Sequence, residues 1–131
     1  MAATALALCA RKFTLDDQAR ELAILRVSPL NGADYQFRIH ATHYAPEAGI
    51  TPQQIAALDG SENSNLFQPA HRALLAYATA MTTAIEVPDV VFDKLRQHYS
   101  NAQIVELTVL IGAYNMHTRV TRALRIDPEA S

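Results

Sequence analysis

The sequence predicts an all-α fold, a compact bundle of about six or seven helices in a single domain over residues 1–131. Three observations support this prediction. Apolar residues recur at helical spacing along most of the chain, and no run alternates apolar and polar residues as a half-buried strand would. Helix-start signals recur along the chain, and the connections between them are short, as in helix bundles.

The first two predicted helices form a hairpin. Thr14 is predicted to cap the first, with acidic residues in its first turn, and Pro29 and Asn31-Gly32 end it. Its apolar positions have helical spacing: Leu15, Ala19, Leu22, Ala23, Leu25 and Val27. The second helix is predicted from about Ala33 to Ala45, and Pro46 marks its end or a kink.

Four further helices follow from their start signals. Thr51-Pro-Gln-Gln54 is a capping box with proline at the first helical position, and it starts a short helix that ends near Leu58. Proline residues open helices at Pro69, running to Ala84, and at Pro88, running to Tyr99. A second capping box, Ser100-Asn-Ala-Gln103, starts the longest helix, which runs to about Leu124. That helix is apolar almost all round, so we expect burial in the core or between subunits.

Composition narrows the functional classes. Half of the residues are apolar and 18% are charged, so we expect a subunit interface to cover the apolar surplus. A net charge of −2 gives no electrostatic footprint for nucleic acid or an anionic membrane. Cys9 is the only cysteine, which excludes an intrachain disulfide or a thiolate zinc site. The start lacks a basic n-region, and we expect a cytoplasmic protein.

Glu21 and His40 are the candidate acid–base pair. The predicted hairpin could bring them together, so that Glu21 sets the tautomer of His40 or relays a proton. The alternative is that Glu21 pairs with Arg20 or Arg26 at the surface and that His40 is a satisfied core histidine. The spacing alone leaves both interpretations open.

The same stretch carries a family resemblance. Glu21, the turn, Tyr35 and His40, followed by Ala48-Gly-Ile-Thr-Pro-Gln-Gln-Ile55, resemble the signature of the carboxymuconolactone decarboxylase superfamily. That superfamily includes the alkylhydroperoxidase-D-type proteins. Val105–Met116 resembles the family's long helix, so the match covers about Thr14 to Pro128. The resemblance implies an all-α bundle that assembles as a dimer, trimer or hexamer, with sites near subunit contacts.

The redox members of that family share the pattern E-x11-C-x2-C-x3-H. Counted from Glu21, the two cysteine positions are occupied here by Ala33 and Gln36, and the histidine is His40. Without a thiolate there is no nucleophile for a peroxide. The resemblance to the redox members therefore does not extend to their peroxidase chemistry, and Cys9 lies outside the pattern.

The decarboxylase-like members often have glutamate at the position of Gln36, which can bind a substrate oxygen but cannot act as a base. The resemblance implies loss of CO2 from a small unsaturated or cyclic acid without a cofactor or metal. We assign catalysis to His40, Glu21 and Tyr35. We assign substrate binding to a second set of residues: Gln36, His43, Tyr114 and Arg119. Arginine suits carboxylate binding, and Arg122 is a second candidate.

Other polar residues carry weaker expectations. His40, His43 and Glu47 make a metal site conceivable, but the ligand count is low. We expect that Glu106 either faces solvent or lines the site, and the same two possibilities apply to Asn115. His71 and His98 are expected at the surface.

Three hypotheses follow. The first is a cofactor-free acid–base enzyme of the decarboxylase or lyase type, acting on a small-molecule substrate as a homo-oligomer. The second is a thiol-dependent peroxidase, disfavoured at Ala33 and Gln36. The third is a non-catalytic, oligomeric small-molecule-binding protein.

Overall fold

The computed structural model describes residues 14–126. Within this range the chain is helical and contains no strand, which confirms the predicted all-α fold. Cys9 and the start of the chain, whose lack of a basic n-region led us to expect a cytoplasmic protein, lie outside the described range.

Within residues 14–126, seven α-helical segments follow one another in chain order. Two of the predicted helices begin or end within a residue or two of their predicted limits, at Pro69–Ala84 and at Asn101–Ala123. The segments are α1 (Asp17–Leu30), α2 (Asp34–Ile39), α3 (Ala45–Glu47), α4 (Pro52–Ala56), α5 (Pro69–Ala84), α6 (Asp89–Arg96) and α7 (Asn101–Ala123). A π-helical turn, His40–Tyr44, joins α2 to α3, and a 3-10 turn covers Ser61–Asn63.

Two of the helix starts have the capping residue predicted from the sequence, and one has a different capping residue. Both capping boxes form, with Thr51 capping α4 and Ser100 capping α7. The cap of α1 is Asp16, whose Oδ1 accepts a hydrogen bond from the amide of Ala19 at 2.7 Å, so the prediction that Thr14 caps α1 is wrong. Aspartate competes well for this position because its carboxylate also interacts favourably with the helix dipole.

Helix α1 lies at the centre of the fold and packs against α5 and α7. Its buried face meets leucines of both partners, with Leu25, Leu74 and Leu107 fully inaccessible. Each such side chain contributes about 1.5–3 kcal/mol by burial. Glu21 lies one turn before Leu25 on the same side of α1, so the packing of α1 also fixes the position of Glu21.

The predicted break near Pro46 is a π-helical turn. The amide of Ala45 bonds the carbonyl of His40, five residues back. Proline lacks an N–H and its ring clashes with the carbonyl a turn earlier, and the widened turn immediately precedes Pro46. Wide turns of this type are frequent at functional sites, and this one begins at His40.

The structure corrects the expectation for His71, which is only 4% exposed; His98 is exposed, as predicted. His71 lies on the buried face of α5, among hydrophobic side chains. Between Thr14 and Ile126, no helix combines the length and apolar character needed to cross a bilayer.

Candidate functional site

Glu21 and His40 are hydrogen-bonded. Nδ1 of His40 lies 2.8 Å from Oε2 of Glu21, and the two side chains are 13% and 14% exposed. Of the two arginines considered as partners for Glu21, Arg20 pairs with Asp17, and Arg26 donates from Nε to Oγ1 of Thr79 at 2.9 Å. The pairing of Glu21 with His40 is therefore the interpretation that the structure supports.

The geometry of the hairpin explains this pairing. Gly32 has a φ of +68° in the turn, a conformation that glycine adopts without a steric penalty. Glu21 precedes Asn31 by ten residues and His40 follows it by nine, so both lie about 14–15 Å along their helices from the turn. Because the two antiparallel helices extend equally far from their connecting turn, these two side chains lie at the same height along the hairpin.

The hydrogen bond defines the tautomer of His40. An ionised carboxylate only accepts hydrogen bonds, so Nδ1 carries the hydrogen, and Nε2 remains for a substrate. Among residues 14–126, no side chain or backbone group bonds Nε2. Two tyrosine rings flank the imidazole, with Tyr44 at 4.9 Å and Tyr114 at 6.0 Å between ring centroids.

The pair borders a cleft of about 410 Å³, large enough for a small organic molecule. Its lining residues come from α1, from the segment α2–α3 and from α7. They are Asp17, Arg20, Glu21, Ile24, Gln36, His40, Tyr44, Glu47, Ala48, Leu110 and Tyr114.

Arg20 brings a cation to this cleft, where its guanidinium pairs with Asp17. The sequence analysis named Arg20 only as one possible surface partner of Glu21 and did not include it in the site. A signal for its role was present, because positions 17, 20, 21 and 24 share one face of a helix. The same face carries Glu21, so a residue one position away on the cleft side of α1 was a candidate.

Of the residues predicted to bind substrate, Gln36 and Tyr114 line the cleft. Gln36 also accepts a hydrogen bond from Oγ of Ser28 at 3.3 Å. His43 is exposed on the π-helical turn and lies outside the cleft. Arg119 lies elsewhere too, donating to Oδ1 of Asn115 at 2.7 Å.

Tyr35 does not join His40 and Glu21, which corrects the expectation that the three share a pocket. It lines a neighbouring depression of about 430 Å³ that also contains Arg122. Five residues of α-helix turn the side chain by about 140°, which directs Tyr35 and His40 to different sides of α2. Gln36 lines both spaces.

Glu106 does not line the cleft; it is half-buried near the start of α7. It accepts hydrogen bonds from the amides of Thr14 and Leu15, at 2.9 and 3.2 Å through Oε2. Asn115 bonds Asn31 and Thr82, so it joins helices instead of lining the cleft. In the described part of the chain, no three residues among His, Cys, Asp and Glu cluster as metal ligands.

Fold and site together define an all-α protein in which a carboxylate–histidine pair borders a cleft between neighbouring helices. Residues 1–83 match the model of the carboxymuconolactone decarboxylase family. The chain belongs to that family.

Three relatives show the range of the similarity. The uncharacterized protein YdfG of Bacillus subtilis strain 168 is 28% identical over 87% of this chain and 78% of its own length. The uncharacterized protein YnjA of Escherichia coli K12 is 28% identical over 91% of this chain and 65% of its own length. A solved structure from Agrobacterium tumefaciens, ATU0492, superposes with a TM-score of 0.81 at 29% identity. The match covers 95% of this chain and 88% of that one. ATU0492 is a protein of unknown function provisionally assigned to the antioxidant defence proteins of the AhpD type.

Proposed function

We propose that this protein is a cofactor-free acid–base enzyme that decarboxylates a small unsaturated or cyclic carboxylic acid. The observation that carries the proposal is the 2.8 Å contact between Glu21 and His40 beside an open cleft. A histidine held by a carboxylate is a common proton-transfer group at neutral pH.

The reaction needs an electron sink, a proton donor and a group that binds the carboxylate. As the bond to the carboxylate carbon breaks, its electron pair moves into the conjugated carbonyl of the substrate, and CO2 leaves. Protonated His40 then donates the hydrogen on Nε2 to the carbon that lost CO2. Glu21 stabilises the imidazolium before transfer, and water restores the proton afterwards.

Arg20 is the candidate carboxylate receptor because it is the arginine that lines the cleft. Binding would exchange part of its interaction with Asp17 for one with substrate, and guanidinium geometry suits a carboxylate. Three carboxylates line the same cleft, from Asp17, Glu21 and Glu47. Their negative charge favours a substrate with one carboxylate over one with two.

A screen of unsaturated lactones and cyclic enoic acids in D2O tests this function. Matched acids with one and two carboxylates are incubated with the protein, and CO2 release and deuterium at the decarboxylated carbon are measured. We expect turnover of a monoacid, loss of about 10²–10⁴-fold in His40→Asn, and weaker binding in Arg20→Gln. The matched control is His43→Asn, because His43 lies outside the cleft. Absence of turnover across the panel, or full activity of His40→Asn, would reject the proposal.

A further inference from the structure

The depression beside the cleft, at the C-terminal end of α7, differs from the cleft in charge. It has a volume of about 430 Å³, and its lining contains Arg122 and Arg125 but a single acidic residue, Asp34. It is here named the basic depression. The cleft has the opposite balance, with one arginine and three carboxylates. An organic anion is therefore attracted more strongly to the basic depression than to the cleft.

Both guanidiniums of the basic depression have donors left for an anion. Arg122 donates to the carbonyl oxygen of Gly32, and Nη1 of Arg125 donates to that of Ala123 at 3.1 Å. These acceptors are neutral, and within residues 14–126 neither arginine lies within ion-pair distance of a carboxylate. A guanidinium carries five N–H donors and binds a carboxylate through two of them at once. Each arginine can therefore keep its present contact and still bind an anion.

The backbone positions both arginines. A Cβ at Gly32 would lie 3.0 Å from Nη2 of Arg122, so the missing side chain at the hairpin turn makes room for this guanidinium. Arg125 has a φ of +58°, a conformation that glycine or asparagine usually occupies after a helix. An arginine kept at such an unfavourable position indicates a role for its side chain.

His117 adds a hydrogen-bond donor to the basic depression. Its Nδ1 is inaccessible and has no hydrogen-bond partner in the described part of the chain. A buried lone pair without a partner is less unusual in proteins than a buried N–H without an acceptor, so we place the ring hydrogen on Nε2. Because His117 lines the depression, this N–H is available there to a bound acceptor.

We propose that the basic depression binds a small carboxylic acid with a flat apolar body, independently of the chemistry in the cleft. Arg122 and Arg125 bind the carboxylate. The ring of Tyr35 and the side chain of Ile126, which is 47% exposed, supply the apolar walls. A space of this volume accommodates one such molecule. Gln36 lines both spaces, so this site is a neighbour of the cleft and not a part of it.

Titration of the full chain with benzoate tests the proposal, with benzamide as the neutral analogue. We expect saturable binding of benzoate, measured by calorimetry and by the ring proton resonances of the histidines, which single substitutions assign. The resonance of His117 should move, whereas that of His98, which lines neither space, should not. Benzamide should bind at least about tenfold more weakly, because it lacks the charge that the two guanidiniums bind.

Three variants of the full chain locate this binding. Arg125→Gln should raise the dissociation constant for benzoate at least about tenfold. Arg96→Gln is the matched control, because Arg96 is exposed on α6 and lies outside the depression, and the net charge changes by the same amount. Arg20→Gln removes the guanidinium of the cleft and should leave this binding unchanged, which separates it from the substrate binding proposed above.

Arg125→Gly separates binding from folding. It should lose the binding of benzoate while its urea midpoint stays at or above that of the wild type, since glycine accepts the positive φ. A lower midpoint together with unchanged binding would mean that Arg125 only caps the helix, and would overturn the proposal.

Other results of the titration would also contradict the proposal. They are the absence of saturable binding up to about 10 mM benzoate, equal binding of benzamide, and tighter binding of inorganic phosphate than of benzoate. A shift of the His40 resonance without one at His117 would place the acid in the cleft instead. Binding that appears only in the double variant Asp127→Asn/Glu129→Gln would assign the depression to the acidic end of the chain itself, against the proposal.

Discussion

Thr14 and Glu106, 92 positions apart, are joined by three hydrogen bonds. The Glu106 carboxylate accepts from the amide of Thr14 through both oxygens and from its hydroxyl at 2.9 Å. Nearby, Nε2 of Gln103 reaches the carbonyl of Thr14 at 3.4 Å. The start of α7 therefore holds the chain that leads into α1, and α1 carries Glu21.

Removing this carboxylate should destabilise the fold. Glu106→Ala leaves the amides of Thr14 and Leu15 without their acceptor, and charge-assisted bonds of this kind contribute about 1.5–3 kcal/mol where shielded. Because Thr14 is exposed, we expect a loss of about 1–2 kcal/mol in the free energy of unfolding, measured by urea denaturation. Glu86→Ala, at an exposed glutamate, should change it by less than about 0.5 kcal/mol. Equal effects of the two variants would contradict this role for Glu106.

Ile85 is strained and exposed. Its φ is +66° and ψ −60°, its side chain is 86% exposed, and the amide of Glu86 bonds the carbonyl of Ala84 across it. A β-branched residue in this tight turn is unfavourable. Ile85→Gly should raise the free energy of unfolding by about 1 kcal/mol. This is the net result of relieving the backbone strain, which stabilises the folded state, and of increasing the conformational entropy of the unfolded chain, which opposes it.

The alanine variant is the control for that strain. Ile85→Ala removes the same exposed side chain beyond Cβ but keeps the Cβ that makes a positive φ costly. Its unfolding midpoint should stay close to that of the wild type. If alanine stabilises as much as glycine, the gain comes from the lost apolar surface and not from the backbone.

His71 should make stability depend on pH. Burial lowers its pKa below the ordinary value, an effect that the nearby Asp16 partly offsets, and Nε2 of Gln68 lies 3.0 Å from its Nε2. The unfolded chain thus binds this proton at a higher pH than the folded chain does. His71 therefore makes its full contribution to the free energy of unfolding above about pH 6.5. This contribution is lost as the pH falls below that value.

A variant without the titrating ring isolates this effect from other groups. His71→Gln should show a shallower decline of the free energy of unfolding between about pH 7.5 and 5.5 than the wild type. Denaturant titrations at each pH give the difference directly. Identical slopes for the two proteins would show that His71 does not titrate on unfolding.

The positions of Ala33 and Gln36 give a test of the redox alternative. Ala33 occupies the N-cap position of α2 without a side-chain hydrogen bond, and Gln36 lies in the first turn; a helix N-terminus lowers the pKa of a thiol. The wild type should not reduce an organic hydroperoxide with dithiothreitol above the uncatalysed rate. The double variant Ala33→Cys/Gln36→Cys should form a disulfide as it reduces the peroxide, at least about tenfold faster than the wild type. Wild-type activity that disappears in Cys9→Ser would contradict this prediction.

Much of the fold could be predicted because its signals are local. The capping boxes at Thr51 and Ser100 and the proline at Pro69 satisfy or remove free amides at helix starts, whatever surrounds them. The pairing of Glu21 with His40 was one of two open interpretations, and the nearly equal numbers of residues that separate the two from Asn31 favour it. These separations depend on chain length along helices, which a sequence provides.

The rest depends on tertiary contacts. Glu106 finds its partner 92 residues away, and His71 is buried by neighbours on other helices, which no local pattern shows. The π-helical turn changes the register after His40 and brings Tyr44 to the cleft. Tyr35 was assigned to the site by its place in a motif, although its position on α2 directs it to the neighbouring depression.

We propose that proton transfer at His40 depends on Glu21, and the pH dependence of kcat tests this dependence. Using a substrate found in the lactone and enoic acid screen, kcat is measured against pH for the wild type, Glu21→Gln and His40→Asn. We predict that His40→Asn loses about 10²–10⁴-fold in kcat, and that Glu21→Gln loses less and shifts the acidic and basic limits of the pH profile. Unchanged kcat in His40→Asn, or a Glu21→Gln profile that coincides with the wild type, would contradict proton transfer by this pair.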